Sequence, residues 1–170
     1  MDAFDGHDEE ETPGLKHSED AQRDLRVSYC RKLAQTVLKR AGLKQPPMPV
    51  HGLAQAQGFT VLESDLPRGV DALIAPDEAR IEVAGGQSPV RHRFSIAHEL
   101  GHHFLGHAHG DSSVAEQQSN IFAGALLVPG PWLRRDLSIY SGPDALAARY
   151  IVSREVIFIA LKDARLLHKI

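Results

Sequence analysis

The 170-residue sequence has one cysteine, Cys30, which cannot close an internal disulfide. That excludes a disulfide-stapled scaffold, and no oxidising compartment is implied. No apolar run approaches the roughly 18–20 residues that a membrane-spanning helix needs. The opening residues, Met1-Asp2-Ala3-Phe4-Asp5, have neither a basic region nor an apolar stretch, so no secretory signal is expected. A soluble cytoplasmic protein with no membrane association is the expectation. Charge of one sign is also scarce, with a net of −3, but it is unevenly placed. Residues 1–20 hold eight carboxylates against Lys16, a net of −7, and the remaining 150 carry 18 Lys and Arg against 14 acids, a net of +4. A +4 body is too mild for direct nucleic-acid binding. The acidic opening is expected to be a disordered, solvated tail over 1–20, with residues 21–170 forming one domain.

Composition is otherwise that of an ordinary globular chain, 42% hydrophobic and 24% charged. A first helix is expected from about Ala21, with Leu25, Tyr29, Leu33, Val37 and Leu38 at helical spacing and Gly42 as a stop. Pro46, Pro47 and Pro49 force an extended connection. A short helix over Val50 to Gln57 leads into three strand-like runs at Phe59–Leu62, Ala72–Ile74 and Ala79–Ala84. They are expected to form a small three-stranded antiparallel sheet. Beyond Ser88 the pattern is helical: a helix capped by Ser88 with Pro89 at its first position, a second over about 114–128, a short turn after Pro131, and two more opened by Pro143 and Ser153. The predicted class is α+β.

Residues 98–102 read His98-Glu99-Leu100-Gly101-His102. Residues four apart share a helix face, so both histidines can offer a ring nitrogen to one metal ion. Glu99 lies about 100° round the helix, where it reaches a water on that ion without being a ligand. Two neutral imidazoles with an open coordination position, beside a carboxylate general base, are what metal-assisted hydrolysis of a peptide requires. Gly101 is costly in mid-helix and points to close approach of another backbone.

A catalytic zinc wants a third protein ligand. The metzincin spacing fails, because its Gly and third His positions are occupied by Leu105 and Ala108, and the only methionines, Met1 and Met48, lie upstream. A deformylase-like cysteine ligand would have to be Cys30, which sits alone on the first helix and reads as packing. A carboxylate on the next helix remains, and Glu116 is the only acid in 114–123; Asp111, in the preceding loop, competes with it. His103, His107 and His109 crowd the end of the site helix and read as cations favoured by a helix C-terminus, with a third-shell or substrate-facing role, including donation to an oxyanion, as their functional alternative. Tyr140 and Tyr150 read as core or rim aromatics, with donation to an oxyanion as their functional alternative.

The run Arg93-Phe94-Ser95-Ile96-Ala97-His98-Glu99-Leu100-Gly101-His102, followed by Glu116, Asn120, Phe122-Ala123 and Leu126-Leu127-Val128-Pro129, resembles the ImmA/IrrE family of zinc metallopeptidases. The likeness spans about residues 25–165 and is strongest over 91–129. It departs at Ser119, Gln118 and Val128, where the family usually has Ala, often a second acid, and Met. The resemblance implies a mainly helical, zincin-like core around the small sheet. It also implies a Zn²⁺ ion on His98, His102 and Glu116 (a donor set that accepts Mn²⁺ as well) and Glu99 as the catalytic base. It further implies an endopeptidase that cleaves a helix-turn-helix transcriptional repressor, supplied here by a separate polypeptide, to release a mobile-element or stress and DNA-damage response. The alternative from another class is a non-proteolytic, zinc-stabilised module that sequesters a repressor or toxin. The strand Ala79–Ala84, polar on one side, is expected to be the sheet edge that receives substrate, so that Val83→Pro would cut proteolysis and spare zinc.

Overall fold

The computed structural model describes residues 13–107 and 112–170. Helix α1 runs Pro13–Arg40, starting eight residues before the expected Ala21, so 13–20 are helical; the rest of the expected acidic tail, 1–12, lies outside the described residues. Among the described side chains it buries Cys30, Ala34, Val37 and Leu38, at the spacing of one helix face. Tyr29 is 58% exposed and does not belong to that face. Basic Lys39 and Arg40 end the helix, where the dipole favours cations, and Gly42 turns the chain at φ +68°. Cys30 is free and buried, as packing requires, and burial raises its thiol pKa.

After α2 (Val50–Ala56) come β1 (Thr60–Ser64), β2 (Ala72–Ala75) and β3 (Arg80–Ala84). The sheet order is β1-β3-β2. β2 and β3 form an antiparallel hairpin, from Ala72↔Val83 to Ala75↔Arg80, turned by a single 3₁₀ turn and Ala79 at φ 51°. β1 pairs parallel to β3, from Thr60↔Arg80 to Ser64↔Ala84. The sheet is therefore mixed, which corrects the antiparallel expectation. It also corrects the expected edge: β3 is the central strand. Ile81 and Val83 are fully buried while Arg80 and Glu82 face the other way. Alternation of that kind records that one face is covered, and a central strand with one open face reads like an edge strand. Val83→Pro would break the interior of the sheet, so it is no test of substrate binding.

Helix α3 (Pro89–Leu105) begins on the expected cap, with the Ser88 hydroxyl accepting from the Arg91 N–H at 3.4 Å and Pro89 in the first turn. Ile96, Ala97 and Leu100 go into the core. Helix α4 (Ser113–Leu127) packs between α1 and α3 and buries Phe122, Ala123, Leu126 and Leu127. α5 (Gly130–Asp136), α6 (Gly142–Tyr150) and α7 (Arg154–Asp163) close the helical half. Among the described residues no helix is long and apolar enough to cross a membrane. The α+β class with one small sheet on a mainly helical core is what the chain adopts.

Candidate metal centre

The glycine in the site helix has its partner. A Cβ on Gly101 would stand 3.1 Å from both the Cα and the carbonyl oxygen of Ser119, so α3 and α4 touch backbone to backbone there. Ser119 lies one helical turn from Glu116 and next to Asn120. The crossing therefore fixes how far the α4 groups stand from the two histidines of α3. Ser112 caps α4 by accepting from the Ala115 N–H at 3.4 Å, which places Glu116 in the first turn. Asp111, the competing acid, lies outside the described residues, as does His109.

His98, His102 and Glu116 converge. His98 Nε2 and His102 Nε2 are 3.0 Å apart, and the Glu116 carboxylate oxygens stand 3.2 Å from the first and 3.3 Å from the second. All three ligand atoms lie within 4.8 Å of one another. Zinc bonds of about 2.0–2.2 Å to N and O give tetrahedral donor-to-donor edges of roughly 3.3–3.6 Å, so the cluster is already close to the size an ion needs. The histidine side chains are 15% and 11% exposed and Glu116 is 55% exposed, which leaves one side open.

The outer partners agree with that use. His98 Nδ1 donates to Asn120 Oδ1 at 2.9 Å, which leaves the Nε2 lone pair for a metal. His102 Nδ1 lies 3.2 Å from His107 Nδ1, and His107 Nε2 lies 2.9 Å from Gln118 Oε1. The His98 Nε2 lone pair and the Glu116 carboxylate then face each other as acceptors at 3.2 Å, an arrangement that a cation resolves. Burial and the neighbouring His102 hold the His98 pKa below its usual value.

Glu99 is buried beside this group, and its pKa is pushed up to about 7, first by burial and then by the Glu116 carboxylate; a hydrogen bond from the Ile74 main chain opposes the rise. Ile74 is on β2. Because Asp71 C=O accepts from Ala84 N–H, ladder alternation turns the main-chain groups of Ala72 and Ile74 away from β3. β2, and not β3, is thus the strand whose open edge faces the base.

Tyr150 and Tyr140 are the core and rim aromatics expected from the sequence. Tyr150 is fully buried and donates to Asp136 at 3.0 Å, with burial raising its pKa, and Arg149 stands over the Tyr140 ring at 5.7 Å. Both belong to the helical half's own packing. His103 stacks edge-on against Phe59. His107 takes the outer-shell alternative, as a partner of the metal-facing His102. Next to the centre, a groove of about 1050 Å³ runs from Asn120 between α3, α4 and α7, lined by Phe94, Ile121, Gly124, Val156 and Ile159 among others.

The fold and the donor set are those of a zinc-metallopeptidase-like domain. The family model described as Peptidase_M78, the IrrE N-terminal-like domain, matches residues 54–162, and the chain belongs to that family. A search of the curated proteins finds no match. Among solved structures, a Mycobacterium tuberculosis transcriptional regulator is similar in fold, with a TM-score of 0.58 and 22% identity over 76% of this chain. This chain spans 45% of that protein's length.

Proposed function

We propose that this chain is a zinc-dependent endopeptidase that acts on a separate helix-turn-helix repressor and so relieves repression of a mobile-element or stress and DNA-damage response. The observation that supports it best is the buried Glu99 carboxyl, with a pKa near 7, next to a His98–His102–Glu116 donor set open on one side. A structural zinc site has no use for such a base and is usually closed by four ligands. His98, His102 and Glu116 would hold the ion. When bound, it supplies Lewis acidity and lowers the pKa of a water to about 7.

Glu99 does the proton work. Its carboxylate accepts a proton from the attacking water and returns it to the departing amine nitrogen, and a pKa near the working pH suits both transfers. β2 provides the track for the substrate: an extended peptide laid along Ala72–Ala75 adds as a strand, with its main chain held at the height of Glu99. The repressor identity rests on the resemblance of the two helix motifs to the family. The test is co-incubation of zinc-loaded protein with candidate helix-turn-helix repressors from the same genome. Cleavage that Glu99→Gln abolishes, with zinc retained, is the expected result. Binding without cleavage, indifferent to Glu99→Gln, would establish the sequestering module instead.

A further inference from the structure

We propose that His107 is a positioning residue of the metal centre, and that together with Gln118 it holds His102 in the Nδ1–H form with its Nε2 lone pair turned toward the ion. This rests on the metal-centre reading and does not depend on the protein being a peptidase. The hydrogen assignment follows from what each atom can do. A carboxamide oxygen only accepts, so Gln118 Oε1 at 2.9 Å takes the proton of His107 Nε2. In the neutral ring that leaves His107 Nδ1 as an acceptor, 3.2 Å from His102 Nδ1 and 3.3 Å from the Ser119 hydroxyl. His102 then carries its proton on Nδ1 and presents Nε2 to Glu116 and His98.

The backbone is built to place this ring. Gly106, at φ +70°, ends α3 in the left-handed conformation that glycine tolerates, and the His107 N–H folds back onto the His102 carbonyl at 3.0 Å. The two rings meet edge-on, with centroids 5.1 Å apart. Gln118 stands on α4 two residues after Glu116. The chain His102–His107–Gln118 therefore ties the end of one ligand-bearing helix to the start of the other.

The test is zinc affinity, measured by competition with a chelating indicator on the whole protein, together with the visible spectrum of the cobalt-loaded form. His107→Phe keeps the ring volume and removes both nitrogens, and it is expected to weaken zinc about 10–100-fold, the usual cost of losing an outer-shell partner. Metal-free unfolding midpoints report whether the variant folds. If His107→Phe does not fold, the pair Gln118→Leu and Gln118→Glu decides: loss in the first and retention in the second is expected, because only the second keeps an acceptor oxygen. Zinc affinities within two-fold of the unaltered protein for each folded variant, or equal losses in Gln118→Leu and Gln118→Glu, would overturn the proposal. Failure of the unaltered protein to bind zinc overturns it together with the centre itself. Zinc bound as expected but no substrate cut sinks only the peptidase reading.

Discussion

The two ends of the α3–α4 pair are built on opposite principles. At one end the helices touch at Gly101 and Ser119, and both imidazoles have outer partners: His98 has Asn120, and His102 has His107 and through it Gln118. At the other end the same helices face α7 across an aliphatic groove. Among the described residues no histidine or cysteine lines it, and of its three acids, Asp71, Glu155 and Asp163, the first is paired with Arg91 and the last with Arg31. The difference shows where precision was needed. A metal donor set fails when an atom shifts by a few tenths of an ångström, whereas an apolar wall tolerates variation in shape. Close backbone contact is spent at the end where distances decide the chemistry.

The largest effect should come from the base. Glu99→Gln removes the proton acceptor without touching a ligand, so hydrolysis should fall by at least about 10²–10⁴-fold while zinc stoichiometry holds. Peptide cleavage assayed beside zinc content checks this; cleavage at an unaltered rate would move the general base elsewhere. The same substitution has a second consequence, in the metal-free protein. Glu99's folded pKa, about 7, lies above the value of 4.5 expected in an unfolded chain, so between these pH values the folded state binds more protons. Stability contributed through this group is therefore full below pH 4.5 and is lost as pH rises toward 7 and above. Glutamine does not titrate, so Glu99→Gln should match the unaltered protein near pH 4 and exceed it by up to roughly 3 kcal/mol above pH 7. Because other ionisable groups lie beside it, the readout is the difference between the two proteins' unfolding midpoints at each pH. A difference that does not grow with pH would contradict the burial argument.

Gly101→Ala comes next and attacks the contact itself. The added Cβ meets main-chain atoms of Ser119 that cannot swing aside, so α4 must back away. Overpacking of this kind costs about 1–3 kcal/mol. Glu116 and Asn120 move with α4, so zinc affinity should fall along with the unfolding midpoint. A variant that loses stability but keeps full zinc affinity would show that the helix contact does not set the donor distances.

Much of this end was legible in the sequence, and for identifiable reasons. Two histidines four apart, a glutamate beside the first and a mid-helix glycine each obey helical geometry, which is local. Gly101's need for a close neighbour followed from its cost, and Ser119 supplies that neighbour. Glu116 was singled out by a motif and by being the one acid in its stretch, and it meets both imidazoles. What sequence spacing could not supply is the path of a chain after it leaves a helix. His107 follows Gly106, and the left-handed turn there returns its ring to His102 where simple helical continuation would carry it off. A glycine followed directly by a histidine, just past a metal-binding helix, was the available signal. The sheet failed for a related reason: strand periodicity gives a buried face but no neighbour order, so nothing local marked β3 as central or β1 as its parallel partner.

The smallest effect belongs at the far end. Ile159, on α7, lines the groove and is 52% exposed, so Ile159→Arg adds charge to the apolar wall with little cost to folding. No metal donor lies on α7, and the Gly101–Ser119 contact stands between α3 and α4, away from that helix. Zinc affinity, measured by the same chelator competition, should stay within about two-fold, since outer-shell losses begin near ten-fold. A ten-fold loss would mean that strain travels from α7 through Asn120, which lines the groove, along its hydrogen bond to His98. The contrast between a rigid end and a tolerant end would then have to give way to a single coupled site.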